Sequence, residues 1–99
     1  MAVEQVNAAK FAELMKQPGK VVVDCYADWC GPCKMIAPEL EKLAVANPTV
    51  KVVKIDVDAE EDLAAALGVE AMPTFIQFVD GQKGKVVQGA NKAALAALF

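Results

Sequence analysis

Ninety-nine residues are enough for one domain with a single hydrophobic core and too few for two. A net charge of −3, without a basic cluster, disfavours nucleic acid and anionic membrane surfaces as partners. The ten basic residues are all lysines and histidine is absent, which removes Ser-His-Asp and Cys-His catalysis, imidazole-ligated zinc and bidentate arginine recognition of phosphate.

Val3 to Val6 alternates apolar and polar residues, as a short strand does, and Asn7 is a candidate helix N-cap. Phe11, Leu14 and Met15 then recur at helical spacing until Gln17-Pro18-Gly19 ends the helix. Lys20 to Tyr26, with Val21-Val22-Val23 at its centre, has the continuous apolar character of a strand buried on both faces. A long helix follows Trp29 and runs to about Asn47, carrying Ile36, Leu40, Leu43 and Ala44 on its apolar side. Pro38 lies inside it and predicts a kink. Val50 to Val57 is β-branched and reads as a third strand. Glu61 to Leu67 reads as a short helix ended by Gly68. Thr74 to Val79 is another strand, Asp80-Gly81 a turn, and Lys85 to Gln88 the last strand; Asn91 caps a final helix from Lys92 to Phe99.

The order is β-α-β-α-β-α-β-β-α. Helices between the early strands imply right-handed parallel crossovers, and the tight Asp80-Gly81 link implies an antiparallel pair at the end. A single α/β domain over residues 1–99 with a mixed sheet is therefore expected. No apolar run approaches the ~18 residues of a membrane span, and the first residues lack the basic and apolar regions of a signal peptide. The expected location is cytoplasmic, with no membrane partner.

Cys30-Gly31-Pro32-Cys33 falls where a buried strand passes into a helix. As half of a zinc site it lacks a second pair, and the third cysteine, Cys25, lies inside a strand, so no metal is expected. As a structural staple it closes too short a loop to remove much unfolded-state entropy. Redox exchange suits the placement. With Cys30 at the N-cap, its sulfur faces the unpaired amides of the first turn, and the helix dipole favours negative charge there; both effects lower the thiol pKa. Pro32 takes a first-turn position whose N–H would have had no partner. Cys33, one turn further in, is expected to be shielded and less acidic, which suits the thiol that resolves a mixed disulfide.

The run Asp24-Cys25-Tyr26-Ala27-Asp28-Trp29-Cys30-Gly31-Pro32-Cys33-Lys34-Met35-Ile36-Ala37-Pro38, with Ala71-Met72-Pro73-Thr74-Phe75, resembles the two signatures of the thioredoxin family. The similarity extends from the first strand to the last helix, and the Ala-Met-Pro-Thr form is similar to that of eukaryotic cytosolic members. The resemblance implies the thioredoxin fold, a central mixed five-stranded sheet flanked by four helices. It also implies a monomeric protein-disulfide reductase without a bound cofactor, whose redox group is the Cys30–Cys33 disulfide. Its partners would be disulfide-containing protein substrates and a thioredoxin reductase, with NADPH entering only through that reductase.

By the same resemblance Cys30 is the attacking nucleophile and Cys33 the resolving cysteine. Asp24 is the buried carboxylate behind Cys33, its pKa raised by desolvation so that it accepts the Cys33 proton; the alternative is a strand-end carboxylate reaching solvent. Lys54 matches the lysine that approaches this carboxylate, against the alternative of an ordinary snorkelling lysine. Pro73 is expected to be cis, although only ~5–6% of X-Pro bonds in folded proteins are. Trp29, Gly31, Pro32, Met72, Pro73, Gly89 and Ala90 would form a flat apolar groove around Cys30, with the Met72 backbone pairing with an extended substrate. For Trp29 the alternative is a partly buried core aromatic.

Two residues depart from the family pattern. Cys25 stands where a bulky aromatic is usual and is expected to be buried and inert. Gln88 replaces an apolar residue before Gly89 and lowers the hydrophobicity of the groove there. A competing function is a binding module that uses the same groove without turnover. An oxidase or isomerase would keep the fold, but Pro32 speaks against it, since isomerase-type sites commonly carry histidine at that position.

Overall fold

Side-chain alternation on one strand organises the architecture. In the computed structural model, which describes residues 2–99, the elements run β1 (Glu4–Gln5), α1 (Ala8–Leu14), β2 (Lys20–Tyr26), α2 (Gly31–Ala46), β3 (Lys51–Asp56), α3 (Glu61–Ala66), β4 (Thr74–Val79), β5 (Gln82–Gln88) and α4 (Lys92–Ala96). The strands form one sheet in the order β1-β3-β2-β4-β5, parallel for β1·β3 and β3·β2 and antiparallel for β2·β4 and β4·β5. The mixed five-stranded sheet with four helices matches the expected architecture.

β2 has a neighbour on each side and a helical layer on each face. Val21, Val23 and Cys25 pack with Phe11 and Leu14 of α1, and Leu63 of α3 lies against the same cluster. Val22 points the other way, among Ile36, Leu40 and Ala44 of α2 and Leu95 of α4. The period-two alternation of a strand places Asp24 on the same side as Val22, at a position where apolar packing would otherwise continue.

The caps act as read from the sequence. Asn7 accepts the Lys10 N–H at 2.9 Å and Asn91 accepts the Ala94 N–H at 2.9 Å. Helix α2 continues through Pro38. β5 begins at Gln82 rather than Lys85, because Asp80 (φ 52°) and Gly81 (φ 79°) make a two-residue primed turn and pairing resumes at once, with Val79 opposite Gln82. A Cβ on Gly81 would collide with the Met15 carbonyl oxygen, so this corner also needs glycine for space. α4 ends at Ala96 instead of Phe99; the last amides turn back on carbonyls three residues earlier, a tighter coil that still buries Leu98.

Candidate active site at the start of helix α2

The chain leaves β2 at Tyr26, and the Cys30 N–H bonds the Ala27 carbonyl at 3.1 Å. That turn delivers Cys30 to the N-cap of α2 in extended backbone geometry (φ −85°, ψ 106°), with Pro32 in the first turn. Cys30 and Cys33 are joined as a disulfide with their Cα atoms 5.3 Å apart. The Cys30 Sγ also accepts the Cys33 N–H at 3.2 Å, so a first-turn amide faces the sulfur that would carry negative charge after reduction. Cys33 is shielded, as expected, at 6% exposed, but Cys30 is no more open at 4%, so shielding does not separate the two. Both sulfurs lie in a small apolar cluster with Ala27, against which Tyr26, Val57 and Met72 pack. What distinguishes Cys30 is its cap position.

The Met72–Pro73 bond is cis, as the resemblance implied, and Pro73 is fully buried. The Gly89 N–H donates to the Pro73 carbonyl at 2.8 Å, which brings Gly89 and Ala90 beside Met72 and Pro73. Gly31 and Pro32 are exposed on the first turn of α2, so the residues expected to form the groove come to the neighbourhood of the disulfide from three parts of the chain. Trp29 is 67% exposed, which rules out its reading as a core aromatic. Its indole N–H donates to Asp58 Oδ2 at 2.8 Å. Sequence reasoning missed Asp58. The Asp-x-Asp spacing, in which Asp56 Oδ1 accepts the Asp58 N–H at 2.9 Å, signals the turn but not the reach to Trp29.

Asp24 is 6% exposed and its Oδ1 has no hydrogen-bond partner among the described residues. Burial raises its pKa from 3.8 to about 7, and the positive charge of Lys54 opposes that rise. The alternative of a carboxylate reaching solvent is thereby excluded. Lys54 lies opposite Asp24 in the β2·β3 register, half-buried, with its Nζ 5.1 Å from the centre of the Tyr26 ring. It does not close an ion pair with Asp24 and acts on it through space. Tyr26 is a second residue the sequence reading did not single out. Asp24, Cys33 and Lys54 line one cavity of about 510 Å³ beside α2 that opens to solvent, so carboxylate and resolving cysteine share one space.

Cys25 is fully buried on the opposite face of the sheet, a free thiol. Burial, with the nearby Asp24 charge, pushes its pKa up to about 12, so it stays protonated and takes no part in exchange at neutral pH. Gln88, exposed at the end of β5, pairs with Thr74. No helix among the described residues is long and apolar enough to cross a membrane, and no group of ligating side chains among them is suited to hold a metal ion.

The thioredoxin family profile matches residues 2–99. The mitochondrial thioredoxin-3 of Saccharomyces cerevisiae is 52% identical over 90 residues, which is 90% of this chain and 70% of that protein. Thioredoxin-1 of the same yeast is 44% identical over 95 residues, 96% of this chain and 92% of its own. The crystal structure of oxidised yeast mitochondrial thioredoxin 3 superposes with a TM-score of 0.91 at 46% identity, covering 97% of this chain and 92% of that one.

Proposed function

The chain belongs to the thioredoxin family, and from that premise we propose how its disulfide-reductase chemistry is divided among its residues. It is a dithiol–disulfide oxidoreductase whose redox group is the Cys30–Cys33 pair and which needs no bound cofactor. In the reduced protein the Cys30 thiolate attacks one sulfur of a substrate disulfide. The other substrate sulfur leaves with the bonding pair and takes up a proton. Cys33 gives its proton to the Asp24 carboxylate across the shared cavity, directly or through water. The Cys33 thiolate then attacks the Cys30 sulfur, releasing the second substrate thiol and closing the disulfide. Two electrons have passed to the substrate.

The single observation that carries this division is Cys30 at the N-cap, with its sulfur accepting the Cys33 N–H, while Cys33 lines the cavity that holds Asp24. A first-turn amide stabilises charge on one sulfur, and a carboxyl titrating near pH 7 serves the other. Lys54 tunes that carboxyl without touching it. Trp29, Gly31, Pro32, Met72, Pro73, Gly89 and Ala90 form the apolar surface on which an extended substrate lies. Such a surface pairs with backbone rather than with particular side chains, which suits many protein substrates.

A monomer acting in the cytoplasm, re-reduced by an NADPH-dependent thioredoxin reductase, completes the reading. Cytosolic thiols are kept reduced, as the working form requires. One similar yeast protein is mitochondrial, and cell fractionation decides between the two compartments. The division of roles is tested with Cys33→Ser: incubation with an oxidised protein substrate should accumulate a mixed disulfide at Cys30. Cys30→Ser should accumulate none. A Cys33→Ser protein that stays a free thiol while substrate remains oxidised refutes the assignment, and binding that survives replacement of both cysteines by serine would favour the module without turnover.

A further inference from the structure

The cavity under α2 is larger than proton transfer requires. Its volume of about 510 Å³ lies within the ~300–1,000 Å³ of small-molecule sites. Val3, Tyr26, Ala37, Pro38 and Leu40 supply apolar walls from β2, α2 and the segment before β1. That segment is held on α2 by Glu41, whose carboxylate accepts the Ala2 N–H. Asp24 lines the cavity with a carboxylate to which no donor among the described residues is hydrogen-bonded, on a side chain more than nine-tenths buried. An acceptor in that state favours a ligand that brings its own donor.

Charge at the rim selects further. Asp28 and Glu41 oppose Lys34 and Lys54 around the opening, so an ion of either sign meets a like charge. An ammonium aimed at Asp24 would approach Lys54, and a carboxylate would approach Asp24 itself. We propose that this cavity is a binding site for a small neutral molecule with an apolar body and one N–H or O–H donor, held by a hydrogen bond to the Asp24 carboxylate. The site is distinct from the substrate groove, which lies on the outer side of the disulfide around Trp29 and Met72. Occupation would slow release of the mixed disulfide, because the ligand takes the oxygen that receives the Cys33 proton; this consequence rests on the role given to Asp24 above.

Indole is a suitable probe, with indene as a match in shape that lacks the N–H. Titration of the oxidised protein followed by amide NMR should give saturable shifts confined to Val3, residues 24–28, residues 33–41 and Lys54. Indene should bind about fivefold more weakly, the effect of one neutral hydrogen bond. Asp24→Ala should bring indole to the indene level, and Ala37→Leu, which fills the cavity from exposed α2 backbone, should abolish the shifts. Absence of saturable shifts, shifts centred on Trp29 and Met72, or equal binding of indole and indene overturns the site. Saturable binding that leaves the exchange rate unchanged supports the site and counts against Asp24 as proton acceptor. No binding, while Asp24→Asn slows exchange, overturns the site and leaves that acceptor role standing.

Discussion

Replacing Asp24 by asparagine should make the protein more stable, by an amount that grows with pH. The carboxyl is 6% exposed, and burial raises its pKa from 3.8 to about 7. A group whose pKa is higher folded than unfolded binds its proton more tightly in the folded state. Stability is therefore greatest below the unfolded value, falls as pH rises between the two values, and is level above about 7. At ~1.4 kcal/mol for each tenfold change in proton affinity, the full loss is about 4 kcal/mol. By about pH 5 roughly 1.5 kcal/mol of it has been lost. Asparagine keeps the shape and cannot ionise, so its advantage over the wild type should widen by about 3 kcal/mol between about pH 5 and about pH 8.5. Urea unfolding of the oxidised proteins, followed by far-ultraviolet circular dichroism at each pH, measures this difference. Comparing the two proteins at the same pH cancels the other carboxylates. A difference that does not change with pH, or an asparagine variant less stable at the alkaline end, would refute the reasoning. Lys54→Met should move the titration to higher pH, because Lys54 holds the Asp24 pKa down.

Cys25 in the reduced native protein should resist iodoacetamide at about pH 8 and react only after denaturant is added, as mass spectrometry of the adducts will show; modification at the rate of Cys30 would contradict its burial. Asp58→Ala frees the Trp29 indole and should raise KM for a protein disulfide about two- to fivefold, with stability changed by less than about 1 kcal/mol. An unchanged KM would remove Asp58 from the binding surface. Gly81→Ala should cost about 2–4 kcal/mol in urea unfolding, because positive φ and the Met15 carbonyl both oppose a Cβ. Gly19→Ala, strained at φ 106° but with open space around it, should cost only about 1 kcal/mol.

What the sequence made legible is what depends on neighbours along the chain. β2 and β4 coincide with their expected limits because a both-faces-buried strand has a continuous apolar run. Cys30, Asn7 and Asn91 were found as caps because capping is a contact across one turn. Asp24 stood out as an acid in an apolar run. The Trp29–Asp58 bond, the Lys54 ammonium over Tyr26 and the equal burial of Cys30 and Cys33 depend on how loops and strands close over one another. No spacing in the sequence encodes that closure. The cavity is the same kind of fact, assembled from β2, β3, α2 and the segment before β1.

The missing histidine links stability to mechanism. A chain without imidazole has no side chain whose ordinary pKa provides a proton acceptor near neutrality, so the acceptor proposed for Cys33 is a group displaced from its usual range. Burying a carboxylate opposite Val22's side of the sheet would waste it, since the sulfurs lie toward α2; on the α2 side it shares the Cys33 cavity. The desolvation that destabilises the folded protein is the same displacement that brings Asp24 to about 7. Lys54 limits the displacement from a distance, whereas a direct ion pair would lower the pKa further and weaken the acceptor. Relief of the buried charge and loss of the proposed acceptor are therefore one event. Any substitution at Asp24 that gains stability at neutral pH by removing the charge must also remove the proton acceptor proposed for Cys33.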